Sequence, residues 1–254
     1  MMKNLTNITL VGAGPGDPDL ISLAGVKALR KAKVVLYDAL VNPEILRHAE
    51  HAELIFVGKR KGYKRFEQEE INEMLLKYAH SHGHVVRLKG GDPFIFGRGS
   101  EEVQYLERFG LKCTIIPGIS SVQAGPASQN IPLTQRGAAE GFWVITGTTK
   151  SRQLSQDVAL AAKSNSTVVI LMGMSKLSEI VQLFKAEGKG RLEIAIVQNA
   201  TRENEKAVLS TINEIEREVK LQALKNPAVI VIGKVVSFAK MSNTIDQILN
   251  NKAA

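Results

Sequence analysis

Short apolar runs alternate with amphipathic segments through the first half of the chain, and this pattern predicts strands separated by helices. Strands connected in this way usually form a parallel sheet with right-handed crossovers, so an α/β domain is expected. Because the apolar runs are continuous, helices should cover both faces of the sheet. The predicted strands are residues 7–11, 33–37, 53–57, 85–88 and 113–116, and the predicted helices are residues 20–29, 68–79 and 100–109.

Polar residues and glycines mark the ends of these helices. Asp17 or Asp19 is predicted to cap the first helix, with Pro18 in its first turn. Gly83 is predicted to end the second helix, since glycine readily adopts the backbone conformation found just after a helix.

The second half of the chain repeats the pattern less regularly. Proline, glycine and polar residues interrupt it between residues 131 and 141, and we place a domain junction there. Two α/β domains are therefore expected, at residues 1–136 and 137–254. Trp143 is expected in the core of the second domain. The predicted strands of this half are residues 142–146, 167–172, 194–198, 207–209 and 228–232, and a helix is predicted at residues 211–223.

The charge balance indicates an acidic partner without identifying it. The 254 residues include 33 lysines and arginines against 25 aspartates and glutamates, which gives a formal net charge of +8. Nucleic acid, an anionic membrane surface and a polycarboxylate metabolite all remain alternatives. Aromatic residues make up 5% of the chain, which weakens the case for a base-stacking surface.

Several classes of protein are disfavoured by what the sequence lacks. Cys113 is the single cysteine, so neither an intrachain disulfide nor a cysteine-rich zinc site is expected. The start of the chain lacks the apolar region of a signal peptide, and no apolar run reaches the ~20 residues that span a bilayer. We expect a cytoplasmic protein with no membrane partner. His80, His82 and His84 are interpreted as residues of a helix end rather than metal ligands.

A glycine-rich turn at residues 12–17 (GAGPGD) follows the first predicted strand. Glycines in such a turn let a ligand approach the backbone closely. A dinucleotide fingerprint is the obvious comparison, and Asp38 ends the second strand, where a ribose-binding acid would lie. However, Asp17 replaces the last small residue of that fingerprint, and Pro15 removes a backbone donor. The turn alone leaves a ligand site and an ordinary tight turn equally open.

A second loop, at residues 87–102 (RLKGGDPFIFGRGSEE), is more specific. A strand leads into a Gly-Gly-Asp-Pro turn, an aromatic–glycine loop and an acidic helix start. With the other motifs, it resembles the tetrapyrrole methylases, the class III S-adenosylmethionine-dependent methyltransferases, and among them the subgroup that methylates uroporphyrinogen III. The matching stretches are residues 11–20, 34–41, 57–63, 68–72, 86–102, 117–121, 130–136, 170–174 and 227–236.

The resemblance implies a tetrapyrrole methylase fold, with two α/β domains and an active-site cleft between them, and a homodimer. It implies S-adenosyl-L-methionine as methyl donor and S-adenosyl-L-homocysteine as product. The implied substrate is uroporphyrinogen III, methylated at C2 and C7 through precorrin-1 to precorrin-2, for sirohaem or cobalamin-type synthesis. The implied cofactor contacts are Pro15, Gly90, Gly91, Asp92, Ile95, Ser120, Ser121, Met172 and Ala200.

The resemblance also suggests catalytic residues. Asp38 and Lys59 would have acid–base roles, since the methylated ring must lose a proton. Arg98 and Arg136 would bind substrate carboxylates, because the guanidinium fork matches a carboxylate. Glu101, one turn after Arg98, would orient it. The basic run at residues 59–65 would widen a positively charged approach to the site.

The chain departs from the family pattern at a few positions. The family usually has Thr-Ala where Ser120 and Ser121 stand, glycine in place of Ala200, and histidine in place of Gln135. These differences leave the class unchanged and concern the fine geometry of the substrate. Asp92 is expected to bind the ammonium group or a ribose hydroxyl of the cofactor.

Other functions remain as alternatives. Some relatives methylate later corrin intermediates, and one branch modifies ribosomal RNA, which the net charge of +8 would suit. A nicotinamide-dependent oxidoreductase and a non-catalytic carboxylate-binding protein are further alternatives. The loop at residues 87–102 argues against a nucleic-acid partner, and the absence of any dehydrogenase or ferrochelatase segment indicates the stand-alone form of the enzyme.

Overall fold

The chain forms two compact units, Met1–Ser120 and Ser121–Ala254, in a computed structural model that describes residues 8–58 and 66–239. The first unit is built on five parallel strands in the order β3-β2-β4-β1-β5. This arrangement confirms the α/β class and the parallel sheet expected from the sequence pattern. The strands are β1 Ile8–Gly12, β2 Val34–Tyr37, β3 Glu53–Phe56, β4 Val85–Lys89 and β5 Cys113–Ile116.

Helices cover both faces of this sheet, as the continuous apolar strands predict. Leu10 packs on one face with residues of α2 and α3, and its neighbour Val11 packs on the other face with residues of α1. A 3₁₀ segment, Pro43–Ala49, adds to the α1 face. The helices of this unit are α1 Leu23–Lys31, α2 Gln68–His82 and α3 Gly99–Glu107.

The start of α1 differs from the sequence prediction. Asp17 accepts a hydrogen bond from the backbone N–H of Asp19 at 2.8 Å and caps a separate 3₁₀ turn, Pro18–Leu20. Ile21 is then extended, and the hydroxyl of Ser22 accepts from the N–H of Gly25 to cap α1. The prediction that Asp17 or Asp19 caps the long helix is therefore wrong. Gly83 does end α2, with a positive φ of 85°.

The second unit has a mixed five-stranded sheet in the order β6-β7-β10-β8-β9. All predicted strands of this half are present, and the last predicted helix is shorter than expected. The strands are β6 Phe142–Thr146, β7 Thr167–Leu171, β8 Glu193–Gln198, β9 Lys206–Thr211 and β10 Ala228–Ile232, and the helices are α4 Ser121–Ser128, α5 Asp157–Lys163, α6 Leu177–Ala186 and α7 Ile215–Leu221.

Strand directions in this sheet bring two strand ends to one edge. β6 and β7 are parallel, whereas β10 runs antiparallel to both β7 and β8. Since β10 is reversed against both of its neighbours, β7 and β8 point the same way. Their carboxyl ends therefore lie on the same edge, on either side of the start of β10.

The units divide at Ser120/Ser121, before the junction expected at 136/137. The physical reason is α4, which packs against β7, β8 and β10. Val122 of α4 lies in one buried cluster with Val169 and Val229 of that sheet. Residues 121–136 therefore belong to the second unit, and the break in the sequence pattern falls inside it.

Trp143 does not lie in the core. It is 38% exposed in β6, a strand at the edge of the described sheet that pairs with β7, and Phe142 beside it is 45% exposed. The prediction failed because a tryptophan in an apolar strand indicates burial only where both sheet faces are covered. None of the helices in the described residues is long and apolar enough to cross a membrane.

Candidate active site

The loops after β1 and β4 pair with each other at the carboxyl edge of the first sheet. The N–H of Gly91 donates to the carbonyl of Gly14 at 2.7 Å, and the N–H of Gly14 donates back to the carbonyl of Gly91 at 3.3 Å. The N–H of Ala13 donates to the carbonyl of Lys89 at 2.7 Å. The two glycine-rich motifs of the sequence therefore form one structural feature, because adjacent parallel strands end side by side.

Close packing between these loops explains two of the glycines. A Cβ on Gly12 would lie 2.4 Å from the nitrogen of Gly118, and a Cβ on Gly118 would lie 2.3 Å from the carbonyl oxygen of Gly91. Gly91 itself has a φ of 67°, and a Cβ there would meet only the Cα of Ser120, at 4.0 Å. Gly12 and Gly118 thus serve loop packing, whereas Gly91 leaves open backbone for a ligand.

Asp92 joins the loops that follow β4 and β5. Its Oδ1 accepts from the N–H of Phe94 at 2.8 Å, and its Oδ2 accepts from the N–H of Gly118 at 3.0 Å. Both carboxylate oxygens are thus already engaged with backbone donors. Asp92 holds the shape of the edge, and any contact with the cofactor's ammonium or ribose would use the remaining lone pairs.

The loop between Asp92 and α3 combines exposed apolar side chains with unusual backbone angles. Phe94, Ile95 and Phe96 are 54%, 39% and 41% exposed. Phe96 and Arg98 have φ values of 53° and 60°, a region that costs a side-chain-bearing residue about 1–2 kcal/mol. Such backbone strain is concentrated at functional sites, so this loop is the strongest local candidate in the first unit.

Arg98 and Glu101 form a two-point ion pair at the start of α3. The Nε of Arg98 donates to Oε1 at 2.9 Å, and its Nη2 donates to Oε2 at 2.6 Å. This hydrogen bonding raises the pKa of Arg98. Since both side chains are about half exposed, the pair contributes little stability, but it holds the guanidinium in one orientation. The geometry agrees with an orienting contact from Glu101.

Asp38 lies directly after β2, at the same carboxyl edge. Its Oδ1 accepts from the N–H of Leu40 at 3.0 Å, and its Oδ2 lies 3.9 Å from Nη2 of Arg87. Its loop contacts the second glycine motif, since a Cβ on Gly90 would lie 2.6 Å from Cβ of Leu40. Lys59, the expected partner of Asp38, lies outside the described residues, as does the rest of the basic run at 59–65.

Beneath this edge lies a buried set of polar residues that we call the Glu102 cluster. Oε1 of Glu102 accepts from Nζ of Lys89 at 2.8 Å, from Nε of Arg87 at 3.1 Å and from Nε2 of Gln68 at 3.1 Å. Asn72 completes the cluster by accepting a hydrogen bond from Gln68. Glu102 is fully buried, and Arg87 and Lys89 are each 4% exposed.

The electrostatics of the Glu102 cluster are unusual for a sheet interior. Burial lowers the pKa of Lys89 to about 8, helped by the charge of Arg87 and opposed by Glu102. Burial alone would raise the pKa of Glu102, but Arg87 and Lys89 outweigh it and hold that pKa below its ordinary value. Oε2 of Glu102 is buried and receives no hydrogen bond from the residues that the structure describes. Two buried cations therefore face one buried carboxylate.

Sequence reasoning did not assign roles to this cluster. The available signal was Arg87 and Lys89 on one face of a strand whose other residues are apolar. Period-2 alternation places them on the α2–α3 side of the sheet. Their partner Glu102 lies in a different element, so only the fold identifies it.

In the second unit, Met172 and Ala200 follow the two strands that end together. Met172 has a φ of 55° and is 48% exposed, and the hydroxyl of Thr148 donates to its carbonyl at 2.8 Å. Ala200 is buried between Asn199 and Thr201, which have φ values of 53° and 65°. Both positions flank the start of β10, because the preceding strand ends pair with Val229 and Ala228. Left-handed residues at two neighbouring strand ends indicate a second strained region.

Glu205 holds the loop around Ala200. It accepts hydrogen bonds from the N–H of Thr201 and from the side-chain amide of Gln129. A Cβ on Gly125 of α4 would lie 3.6 Å from Cβ of Ala200. The methyl group that replaces the family's usual glycine is therefore accommodated opposite a glycine.

The remaining expected residues are placed as follows. Pro15 is half-buried in the loop after β1, and Ser120 is buried at the end of the first unit. Ser121 begins α4, and Arg136 is exposed in a turn where Gln135 pairs with Ala139. The first unit thus brings together Pro15, Asp38, Gly90, Gly91, Asp92, Ile95, Arg98 and Glu101 at one edge, and the second unit contains Ser121, Arg136, Met172 and Ala200.

The three alternating histidines have separate partners. Nδ1 of His80 lies 2.8 Å from the carbonyl of Leu76, and Nε2 of His84 lies 3.1 Å from the hydroxyl of Thr9. His82 contacts Ser81 and faces Glu53. Among the residues that the structure describes, no group of three or more potential ligands is arranged for a metal ion.

A parallel sheet with glycine-rich loops at its carboxyl edge, followed by a mixed sheet, is the architecture of the tetrapyrrole methylases. The chain matches the Tetrapyrrole (Corrin/Porphyrin) Methylases over residues 7–216 and belongs to that family.

Among individual proteins, the chain is most informatively compared with three. It is 43% identical over 233 residues to uroporphyrinogen-III C-methyltransferase of Methanocaldococcus jannaschii, which covers 91% of this chain and 96% of that protein. A uroporphyrin-III C-methyltransferase from Thermus thermophilus, solved with S-adenyl homocysteine, is 37% identical with a TM-score of 0.79, covering 91% and 99%. A cobalt precorrin-4 methyltransferase is 26% identical with a TM-score of 0.83, covering 93% and 98%.

Proposed function

We propose that the chain is an S-adenosylmethionine-dependent methyltransferase that methylates uroporphyrinogen III at C2 and C7, giving precorrin-2 through precorrin-1. The observation that carries this proposal is the first unit's carboxyl edge, where the open backbone of Gly91, the strained apolar loop and the oriented Arg98 lie together. Support also comes from the relatives of this chain, several of which are named for this reaction at about 40% identity over most of its length.

The charges at this edge suit a cationic methyl donor. A sulfonium group is repelled by unpaired cations and favoured by backbone carbonyls and carboxylates. Arg98 is paired with Glu101, and the buried Arg87 and Lys89 face Glu102. The residues therefore fit S-adenosylmethionine, with Pro15, Gly90, Gly91, Asp92, Ile95, Ser120, Ser121, Met172 and Ala200 as its proposed contacts.

When bound, S-adenosylmethionine supplies a methyl group on a positively charged sulfur. The substrate's electron-rich pyrrole carbon forms the new C–C bond as the C–S bond breaks, with that bond's electrons remaining on sulfur. The methylated ring then loses a proton. Asp38 accepts this proton at a carboxylate oxygen, with Lys59 as its proposed partner. Holding carbon and methyl in line is the main contribution of the protein.

The substrate's ring of acetate and propionate groups requires cations that can form forked contacts. Arg98 and Arg136 are proposed to bind these carboxylates, since each guanidinium presents two parallel N–H donors. Glu101 fixes the orientation of Arg98. The excess charge of +8 favours approach of so acidic a substrate. A cytoplasmic homodimer serving sirohaem or cobalamin-type synthesis is part of this proposal, and light scattering tests the dimer.

The test is anaerobic incubation of the protein with uroporphyrinogen III and S-adenosylmethionine carrying a deuterated methyl group, followed by mass spectrometry of the tetrapyrrole. The expected product carries two labelled methyl groups. Reactions without the donor, and with the Arg98→Ala variant, serve as controls. Cofactor binding without methyl transfer would reject uroporphyrinogen III as substrate and direct the search to later tetrapyrroles.

A further inference from the structure

The geometry points to Arg87 as a positioning residue that orients the carboxylate of Asp38 for proton removal, with Glu102 holding Arg87 in place. This inference rests on the proposed function, in which Asp38 accepts the proton of the methylated ring. It goes beyond that function by assigning catalytic importance to a buried pair that does not touch the substrate.

Arg87 is anchored so that one end of its guanidinium is left for Asp38. Its Nε donates to Oε1 of Glu102 at 3.1 Å. Its Nη1 donates to the carbonyls of Leu36 and Leu88, at 3.3 and 3.1 Å. These contacts join α3, β2 and β4 and fix the plane of the group. The remaining nitrogen, Nη2, faces Oδ2 of Asp38 at 3.9 Å.

Asp38 is held from two sides by this arrangement. The N–H of Leu40 donates to Oδ1, while the cation of Arg87 attracts Oδ2. The separation of 3.9 Å is an ion-pair contact and is too long for a hydrogen bond. Oδ2 therefore keeps its lone pairs available to accept a proton, in a carboxylate whose rotation is restricted. Asp38 is also 26% exposed, so it remains accessible to a substrate.

The charge balance of the Glu102 cluster supports a role beyond packing. Burying ions is costly, and apolar residues of similar volume usually serve stability as well or better. Within the cluster, Arg87 and Lys89 outnumber Glu102, which leaves one positive charge in excess. The carboxylate of Asp38 is the group that offsets this charge, and it does so at the edge of the sheet where the reaction is proposed.

The experiment compares Arg87→Met with the wild-type enzyme under the methylation assay. We expect kcat to fall about 10- to 100-fold, while KM for uroporphyrinogen III and the affinity for S-adenosylhomocysteine change less than about threefold. Equal losses of kcat and binding affinity would contradict a positioning role. Urea unfolding establishes that the variant is folded under assay conditions.

Lys89→Met is the matched control. It removes a cation of the same charge and burial from the same carboxylate, and it leaves the pair of Arg87 and Asp38 in place. Its kcat should stay within about threefold of the wild type. A loss as large as that of Arg87→Met would mean that the whole cluster, rather than Arg87, affects turnover, and it would overturn the inference.

A double-mutant cycle with Asp38→Asn separates this inference from the proposed function. If Arg87 acts through Asp38, then Arg87→Met in the Asp38→Asn background lowers kcat by less than about threefold. Independent, multiplicative losses would reject the inference and leave the role of Asp38 intact. Near-normal turnover of Asp38→Asn alone would instead reject Asp38 as proton acceptor, and with it the role of Arg87.

Arg87→Lys covers the case in which Arg87→Met does not fold. Lysine keeps the positive charge but lacks the fork that contacts Glu102 and two carbonyls simultaneously. We expect kcat to fall about 3- to 30-fold, and the same cycle with Asp38→Asn should again show that the two losses do not multiply. An Arg87→Lys variant with wild-type kcat would overturn the inference.

Discussion

The two units of the chain place strand ends together by different means. In the first, parallel strands bring the loops after β1, β2, β4 and β5 to one edge, and glycines let these loops pack backbone against backbone. In the second, an inserted antiparallel strand separates the ends of β7 and β8. The first edge is rich in charge and hydrogen-bonded carboxylates, whereas the second depends on strained backbone and one carboxylate, Glu205.

This difference indicates a division of tasks. The first unit contains the groups suited to move a proton and bind carboxylates, namely Asp38 and the pair of Arg98 and Glu101. The second offers the apolar Met172 and a buried alanine. We therefore expect substitutions at the first edge to act on kcat, and those at the second edge to act on cofactor affinity.

The largest effect should come from Asp38→Asn, which removes the proposed proton acceptor and keeps the shape of the side chain. We expect kcat to fall about 10²- to 10⁴-fold. Because the asparagine oxygen still accepts from Leu40, the folded structure should persist. Single-turnover methylation measures the effect, and the exposed Asp19→Asn is the control. Wild-type turnover of Asp38→Asn would contradict the assignment of chemistry to the first unit.

Gly118→Ala should separate the loop packing of the first unit from the chemistry. The new Cβ would lie 2.3 Å from the carbonyl oxygen of Gly91 and 2.7 Å from the Cα of Gly12, both of them backbone atoms that have little room to move. A loss of about 3 kcal/mol in the free energy of unfolding is expected. Urea unfolding measures it.

Gly141→Ala is the control for this substitution in the second unit. There the nearest atom to an added Cβ is the hydroxyl oxygen of Ser166 at 3.7 Å, and stability should change by less than about 0.5 kcal/mol. Equal losses at both sites would show that the backbone packing of the first edge is not unusually tight.

Stability should depend on pH through Lys89, which has no counterpart among the described buried residues of the second sheet. Its folded pKa of about 8 is below the unfolded value of 10.5, so the folded state binds fewer protons between these two pH values. The destabilising contribution is complete below pH 8 and is relieved as pH rises towards 10.5. Relative to Lys89→Met, the wild type should gain about 3 kcal/mol between about pH 7 and pH 10.5.

Paired urea titrations of the wild type and Lys89→Met across that pH range test this expectation, since the other titrating groups are common to both proteins. A difference that is independent of pH would mean that Lys89 keeps an ordinary pKa despite its burial.

The smallest effect is expected from Glu205→Gln in the second unit. The amide group replaces one of the two oxygens that accept from Thr201 and Gln129, so the loop around Ala200 loses one hydrogen bond. We expect S-adenosylhomocysteine affinity, measured by calorimetry, to fall about 3- to 10-fold with kcat nearly unchanged. The exposed Glu203→Gln serves as control. A selective loss of kcat would break the proposed division of tasks.

Much of this architecture follows from local sequence patterns. The continuous apolar runs predict every strand of both described sheets, and the loop at residues 87–102 carries the resemblance to the family in its sequence alone. These features are local, because strand formation and turn chemistry depend on neighbouring residues. The capping error at Asp17 shows the limit even here, since the extended Ile21 divides one apparent helix into two short elements.

The contacts between distant elements were decided only by the tertiary structure. The sequence by itself determined the α/β class, the strands and the residues of the candidate site, since these are written in local periodicity and motifs. Tertiary structure decided that α4 belongs to the second unit, that Trp143 lies on an edge, that Asp92 joins two loops, and that Glu102 meets Arg87 and Lys89. The physical reason is that burial and charge pairing depend on which segments the sheet order places side by side, and residues far apart in sequence carry no local sign of that order.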